Sequence, residues 1–167
     1  MNILSPKTTG NFWERLIKSP YFIIRNSLVA NPNTSPEILS LLARDKNFSI
    51  RYDVVNHPNT LIETLAFLAK DKNWGIRSEV ALNSKTSPET LAFLAKDKDY
   101  YVRREVARNP HTSSEILALL AKDKEWTVRS GVALNSKTSP ETLALLVKDE
   151  DYDIRELANK SLKSIKS

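Results

Sequence analysis

Apolar residues recur along the chain in two alternating patterns, and both have the spacing of a helix. In one stretch the two sets of positions are Ile76, Val80 and Ala81, followed by Leu91, Leu94 and Ala95. Phe93 widens the second stripe. Apolar side chains three and four residues apart lie on one side of a helix, where they pack against a core. The chain is therefore predicted to consist of amphipathic helices of two alternating kinds.

The copies of these patterns are separated by a constant 26 residues. The interval is clearest in a column of arginines, at Arg25, Arg51, Arg77, Arg103, Arg129 and Arg155. The third residue before each arginine is aromatic, at Phe22, Phe48, Trp74, Tyr100, Trp126 and Tyr152. The sixth residue before it is an aspartate from the second copy onward, at Asp45, Asp71, Asp97, Asp123 and Asp149. A period kept without one insertion indicates internal repeats.

Helix boundaries are predicted by polar residues at fixed places in the repeat. A threonine is followed three residues later by a glutamate, as at Thr60 and Glu63, which is the spacing of a capping box. It predicts the second helix of a pair, over about 61–70 in that repeat. N-caps of the first helix are predicted at Asn47, Asn73, Asp99 and Asp151. We expect this first helix to have about eight residues, to be 3₁₀ in part, and to end at an asparagine in the left-handed conformation, with His57 in that column.

Together these observations predict an all-α, right-handed α-α superhelix (solenoid), because one helix pair cannot bury its apolar face without a neighbouring pair. We expect a single domain over 1–167 with no internal boundary. Its predicted parts are a degenerate N-terminal cap at 1–21, five repeats at 22–47, 48–73, 74–99, 100–125 and 126–151, and a C-terminal cap at 152–167.

The repeat can be written D-x-x-aromatic-x-[IV]-R-x-x-V-[AV]-x-N-[PS]-x-T-x-x-E-x-L-x-x-L-A-K, and it resembles the leucine-rich repeat variant over essentially all of residues 22–160. The resemblance implies alternating short helices wound as a right-handed superhelix without a sheet. Some members of that family carry a cysteine-ligated iron–sulfur module, which a chain without cysteine does not match. The aspartate-then-arginine spacing also resembles HEAT arrays, where such side chains form a ladder between repeats. The family implies a fold and not an activity.

Composition narrows the classes of protein that fit. The absence of cysteine excludes a disulfide framework and a thiolate metal site, and we expect no cofactor or metal. No signal peptide is visible, and no apolar run approaches the roughly 20 residues needed to cross a bilayer, so we expect a cytoplasmic protein with no membrane contact. The net charge of +5 is divided as +2 in residues 1–21, +1 in 22–151 and +2 in 152–167. This distribution does not suggest a concentrated basic face.

The arginine and aspartate columns are predicted to form a structural ladder. Its members are Asp45, Arg51, Asp71, Arg77, Asp97, Arg103, Asp123, Arg129, Asp149 and Arg155. Each arginine has an aspartate available in its own repeat or in the neighbouring one, and a buried pair of this kind fixes register more surely than it adds stability. The other reading is a row of phosphate-binding guanidinium groups. We also expect the aromatic column to plug the turns and cover the core, and Tyr101, outside it, to be the exposed aromatic.

The positions that vary between repeats are the candidates for recognition. Partner-binding candidates are Tyr52, Ser78, Tyr101, Arg104, Arg108 and Ser130. They predict a non-catalytic scaffold that binds a protein or peptide on an extended surface. The two histidines occupy different columns, and no catalytic constellation is visible around them, so no enzyme activity is expected.

Nucleic-acid binding remains the alternative function. It would use the basic turns, at Lys46, Lys70, Lys72, Lys96, Lys98, Lys122 and Lys124. Aspartates interleaved with these lysines are expected to weaken the field that attracts phosphate. The sequence leaves open the partner, the oligomeric state and which layer of helices is concave.

Overall fold

The computed structural model describes residues 6–166, which form helices joined by short turns. The twelve helices in that range are α1 (Pro6–Ile17), α2 (Phe22–Ala30), α3 (Pro36–Leu42), α4 (Phe48–Asn56), α5 (Ile62–Leu68), α6 (Trp74–Leu82), α7 (Pro88–Leu94), α8 (Tyr100–Arg108), α9 (Ser114–Leu120), α10 (Trp126–Leu134), α11 (Pro140–Leu146) and α12 (Tyr152–Lys166). No residue from 6 to 166 lies in a strand. The predicted all-α class with a repeat of about 26 residues is therefore confirmed.

The helices group into two compact units. Helices α1–α5 lie in the unit that ends at Leu68, here unit 1, and α6–α12 lie in the unit that begins at Ala69, here unit 2. The single domain expected over 1–167 stays a prediction. Among the described helices, none combines the length and the apolar character that a bilayer span requires.

Unit 2 is built from two layers of helices. The first helices α6, α8, α10 and α12 begin at the aromatic column and pack side by side, while the second helices α7, α9 and α11 pack against them. Side chains such as Val80 and Val106 from the first layer and Leu91 and Leu117 from the second are completely buried. Burying one such side chain contributes about 1.5–3 kcal/mol, so the core between the layers supplies most of the stability.

Unit 1 follows the same plan with fewer repeats. Its first helices are α2 and α4, its second helices are α3 and α5, and α1 contacts α2 and α3. The core includes Leu39, Leu42, Ile50 and Leu65, which have no exposed surface. The leucine stripe and the isoleucine–valine stripe seen in the sequence therefore meet as the two halves of one core.

The lengths of the two helices differ from the prediction. The first helix of each complete pair has nine residues and is α-helical throughout, as in Phe48–Asn56. The second helix has seven, as in Ile62–Leu68, rather than the stretch of about 61–70 expected from its pattern. The second helices end early because the backbone tightens after them. In α7, for example, the N–H of Lys96 bonds the carbonyl of Phe93, three residues back. A three-residue hydrogen bond of the 3₁₀ kind, which was predicted inside the first helix, is thus found after the second helix.

Serine, not threonine, caps the second helices α7, α9 and α11. The hydroxyl of Ser87 accepts a hydrogen bond from the N–H of Thr90, and the preceding Thr86 is buried and donates to the carbonyl of Val80 at 2.6 Å. The capping box predicted from Thr86 and Glu89 is therefore wrong in its first residue, because Ser87 and not Thr86 is the cap. Glu89 still lies in the first turn, where its own backbone N–H and the Ser87 hydroxyl lower its pKa.

The N-caps predicted for the first helices are correct. The side chains of Asn47, Asn73, Asp99 and Asp151 each accept a hydrogen bond from the N–H two residues further on. Satisfying these N–H groups, which have no partner inside the helix, fixes where the first helices begin.

The asparagine column ends the first helices in a way that the sequence did not indicate. Asn109 has φ −68° and ψ 128°, so its backbone is extended, and no residue described in 6–166 has a positive φ. Its side-chain amide instead donates to the carbonyls of Ala81 at 2.7 Å and Asn83 at 3.3 Å in the preceding repeat. Asn135 donates to Ala107 and Asn109 in the same way. We call these contacts the asparagine ladder.

His57 takes the place of the asparagine at the end of α4. Its Nδ1 accepts the N–H of Asn59 at 3.1 Å, and its Nε2 lies 2.9 Å from the carbonyl of Asn31. A carbonyl only accepts, so the neutral ring carries its proton on Nε2. The histidine is therefore a structural substitute for the asparagine amide.

Candidate functional site

The predicted arginine and aspartate columns meet between neighbouring repeats. Nε and Nη2 of Arg103 lie 2.6 and 2.9 Å from the two carboxylate oxygens of Asp123, which is twenty residues further along the chain. The same bidentate pairing joins Arg77 to Asp97 and Arg129 to Asp149 in unit 2, and Arg25 to Asp45 in unit 1. The aspartate partner belongs to the following repeat, so each pair ties two repeats together.

The remaining nitrogen of each guanidinium is bound to the backbone. Nη1 of Arg103 donates to the carbonyls of Asp97 at 2.8 Å and Lys98 at 3.2 Å. Equivalent bonds hold Arg51 to Asp45 and Arg155 to Asp149. In the four pairs described above, the guanidinium groups are nine-tenths or more buried and their donors are engaged. The donors of these four guanidinium groups are therefore used in contacts within and between repeats.

The carboxylates of the ladder are held in their charged form. Burial raises the pKa of Asp123, but hydrogen bonds from Arg103 and from the N–H of Glu125 outweigh it, so the pKa lies below its usual range. The pKa values of Asp97 and Asp149 are lowered by the same balance of burial and hydrogen bonds.

Acid is therefore expected to unfold the protein through these carboxylates. Their pKa is lower when folded, so the stability they contribute is complete above the unfolded value of about 3.9 and is lost as the pH falls through the folded value. We expect the free energy of unfolding, measured in urea by circular dichroism, to fall steeply below about pH 4. Asp123→Asn should show a shallower pH dependence. Equal slopes for both proteins would contradict this assignment.

Most of the aromatic column is exposed, contrary to the prediction that it covers the core. The exposed fraction is 48% for Trp74 and 56% for Trp126, and Phe48 and Tyr152 are more exposed still. The reason is rotational: Trp74 is the first residue of α6, and it lies about 200° around the helix from the buried Ile76. The column therefore lies toward the solvent side of the first helices.

Tyr101 is the centre of an aromatic cluster in unit 2. Its ring stacks on Trp74 with centroids 5.0 Å apart and on Tyr100 with centroids 4.2 Å apart. The guanidinium carbon of Arg104 lies 5.1 Å from its ring centroid. Tyr101 was expected to be exposed, but these contacts leave it only partly so. Three aromatic rings and one cation thus form a single ordered surface.

Arg104 and Arg108 share one buried carboxylate. Arg104 Nη2 lies 2.7 Å from Glu105 Oε1, and Arg108 Nη1 lies 3.8 Å from the same oxygen. The side chain of Glu105 is only 9% exposed, while those of Arg104 and Arg108 are 30% and 56% exposed. The buried carboxylate of Glu105 therefore positions both guanidinium groups. Together the three side chains carry one excess positive charge.

A cleft of about 150 Å³ lies between α8 and α10. It is lined by Arg104, Arg108, Trp126, Thr127, Ser130, Gly131 and Leu134, and we call it the Gly131 cleft. Among the side chains described in 12–165, the hydroxyl of Thr127 is the buried polar group that has no hydrogen-bond partner. The cleft thus combines an apolar wall with two cations, and one of its lining residues carries a buried hydroxyl without a partner.

The structure brings together four of the six predicted partner-binding residues. Tyr101 contacts Arg104, and Arg104, Arg108 and Ser130 line the Gly131 cleft. Ser78 is partly exposed on α6, one repeat before Arg104, and Tyr52 lies on α4 in unit 1. The lysines of the basic turns are exposed, at Lys46, Lys70, Lys72, Lys96, Lys98, Lys122 and Lys124.

Sequence reasoning missed Trp74, Trp126 and the Gly131 cleft. The two-residue spacing between each tryptophan and the next buried position was visible in the sequence, and on a helix it indicates an outward orientation. The cleft was also marked, because Gly131 replaces the acidic residues Asp53, Glu79 and Glu105 of the same column. The free Thr127 hydroxyl had no sequence signal, since only packing decides which hydroxyl lacks a partner.

The geometry defines an all-α tandem-repeat protein made of helix pairs. Residues 100–125, one complete repeat, match the family model of the leucine-rich repeat variant, which confirms the resemblance expected from the sequence. No curated protein is similar in sequence to this chain.

Solved structures similar to the chain include the following two. One is described as a leucine-rich repeat variant with a novel repetitive structural motif; it is 22% identical, with 91% of this chain and 71% of that chain covered and a TM-score of 0.45. The other is an engineered protein solved by the Northeast Structural Genomics Consortium, 14% identical, with 99% and 97% covered and a TM-score of 0.54. The second similarity concerns the fold alone.

Proposed function

We propose that this chain is a non-catalytic repeat scaffold that binds a protein or peptide partner on the solvent side of α6, α8 and α10, here the first-helix face. The observation that carries the proposal is the cluster of Trp74, Tyr101 and Arg104 beside the exposed Trp126. Tryptophan, tyrosine and arginine are the residues that dominate the energy of protein interfaces. Their grouping on one surface supports a binding role.

Order within this surface supports the proposal further. The Tyr101 ring stacks on Trp74 and on Tyr100, and Arg104 is paired with the buried carboxylate of Glu105. Side chains that are ordered before binding lose less conformational entropy when a partner arrives. The core does not require Trp126, which is 56% exposed. This order supports a role for the surface in contact with a partner.

Removing the aromatic surface is expected to weaken partner binding without unfolding the protein. Peptides selected from a random display library on the full chain serve as probes, labelled with fluorescein and measured by anisotropy. We expect Trp126→Ala and Tyr101→Ala to weaken binding at least about tenfold. Phe93→Ala is the matched control, since Phe93 is 52% exposed but lies on α7 of the second layer. Peptides that respond only to Phe93→Ala would place the partner on the other layer and refute the proposal.

Nucleic-acid binding is the second candidate function, and one cavity favours it. A groove of about 470 Å³ in unit 1 is lined by three exposed cations, Lys18, Arg44 and Lys46, and by the buried Arg25. The acid among its lining residues is Asp45, whose carboxylate is already paired with Arg25. The aspartates of the paired repeats are thus occupied by arginine, and they screen the neighbouring lysines less than the sequence suggested.

Charge removal in this groove tests the second candidate. In the variant Lys18→Gln, Arg44→Gln, Lys46→Gln, a nucleic-acid role predicts weaker duplex DNA binding and a salt dependence of log K lower by about 0.9 per lost phosphate contact. Lys85→Gln with Lys137→Gln is the control, because these lysines lie at the other kind of turn, between a first helix and the second helix that follows it. An unchanged salt slope would exclude this use of the groove. The cytoplasmic location expected from the sequence stays a prediction.

A further inference from the structure

We propose that the Gly131 cleft is a specificity pocket that accepts a glutamate side chain of the bound partner. The inference rests on the proposed function, because it names the chemistry of one contact on the first-helix face. It would make the scaffold selective for partners that carry an acidic residue next to the segment lying on Trp126.

The first support is a break in the repeat. The column that contains Glu79 and Glu105 has no side chain at Gly131. A Cβ placed on Gly131 would lie 3.0 Å from Ala107 Cβ and 3.2 Å from Arg108 Cγ, so α10 approaches α8 closely at this point. Glu105, the equivalent residue one repeat earlier, pairs with Arg104 and Arg108 of its own helix. The column thus carries a glutamate in the earlier repeat and no side chain in the later one.

The charge beside Gly131 is positive. Arg108 has a side chain that is 56% exposed, and its nearest acidic oxygen, on Glu105, is 3.8 Å away. That oxygen is already held by Arg104 at 2.7 Å, so one carboxylate serves two guanidinium groups. A second carboxylate in the cleft would complete the pairing, and arginine binds carboxylates with two parallel hydrogen bonds.

The walls of the cleft suit the rest of a glutamate side chain. Trp126 and Leu134 offer apolar surface to its methylene groups, and Gly131 leaves the floor free of side-chain atoms. Thr127, which lines the cleft, carries a buried hydroxyl without a partner within the described residues. A buried polar group without a partner is costly, and a ligand that supplies one recovers that cost. A neutral or basic side chain would not supply this second carboxylate to Arg108.

The test uses peptides selected on the full chain from a library whose carboxyl ends are fused to the display protein, so that only side chains supply carboxylates. We expect glutamate to be enriched at one position of the binders. In amidated synthetic peptides, replacing that glutamate with glutamine is expected to weaken binding at least about tenfold. Arg108→Gln should remove the preference between the two peptides, whereas Lys137→Gln should preserve it.

A second pair of variants fills the cleft from within the protein. Gly131→Glu supplies the missing carboxylate and is expected to reduce affinity for the glutamate peptide at least about tenfold. Gly131→Ala carries the same Cβ and the same local strain without a carboxylate, so it serves as the matched control. The glutamine peptide should bind both variants equally.

The possible failures are distinguishable. Peptides that lose affinity in Trp126→Ala but show no glutamate preference would overturn the pocket while supporting the proposed function. Binders that require a free C-terminal carboxylate, found with a library displayed in the opposite orientation, would replace the glutamate by a chain end and overturn this inference. Peptides insensitive to both Trp126→Ala and Arg108→Gln would refute the pocket and the proposed function together.

Discussion

Replacing Arg103 with alanine is expected to lower the free energy of unfolding by about 3–5 kcal/mol. The guanidinium donates twice to the Asp123 carboxylate and also to the carbonyls of Asp97 and Lys98. The Asp123 side chain is only 8% exposed, so its charge would be left in the interior with the N–H of Glu125 as its remaining described donor. An unpaired buried charge costs more than the net worth of the pair that it has lost.

Urea unfolding followed by circular dichroism measures this effect. The matched control is Lys98→Ala, which removes an exposed cation from the same turn and is expected to change stability by less than about 0.5 kcal/mol. Adding Asp123→Ala to Arg103→Ala should recover part of the loss, because the second change removes the stranded charge. If Arg103→Ala unfolds at the same urea concentration as the original protein, the ladder does not hold the repeats together.

The second large effect is expected for Asn109→Ala, at about 2–3 kcal/mol. The Asn109 amide donates to the carbonyl of Ala81, which lies in the last turn of α6 and therefore has no acceptor role inside its own helix. Its oxygen also accepts the N–H of His111 at 2.8 Å. Asn109 is 1% exposed, so water does not replace these bonds when the amide is removed.

Two further variants separate the amide from simple packing. Asn109→Asp keeps the shape but places an oxygen against the Ala81 carbonyl, so it is expected to be as damaging as alanine at neutral pH and less so in acid, where a protonated carboxyl can donate. Asn33→Ala makes the same chemical change at an exposed turn position, so it is the control and should unfold like the original protein. Full stability of Asn109→Asp at neutral pH would show that the hydrogen bond to Ala81 contributes little.

Periodicity made the repeat and its core accessible from the sequence. Residues such as Val80 and Leu91 recur at helical spacing and are buried, and the N-caps Asn47 and Asp99 were visible because their side chains act on the next few residues. Interactions that are local in the chain leave local signals, so these features were predictable.

The errors came from side chains whose partners lie elsewhere. Thr86 looked like a cap, but it donates back to Val80 across the turn, and Ser87 caps the helix instead. Asn109 looked like a left-handed residue, but it reaches the preceding repeat. In both cases one residue type fits two roles, and only the packed structure decides between them.

The candidate site was partly predictable for the same reason. Arg104 and Ser130 were identified because they vary within a column. Their convergence with Trp126 on one cleft depends on the approach of α8 and α10 at Gly131, which no single repeat encodes. The variable residues therefore showed where to look, and the packing of neighbouring helices showed what the surface contains.

The asparagine ladder has a consequence for how such a chain lengthens. Each amide grips a main-chain carbonyl of the repeat before it, an atom that every amino acid possesses. The join therefore places no demand on which side chains its neighbour carries. A copied segment of 26 residues brings its own amide donor, and the preceding repeat already has the carbonyl acceptor. Repeats can therefore multiply first and diverge on their outer surfaces afterwards. The close likeness of residues 77–98 and 129–150 fits a history of this kind.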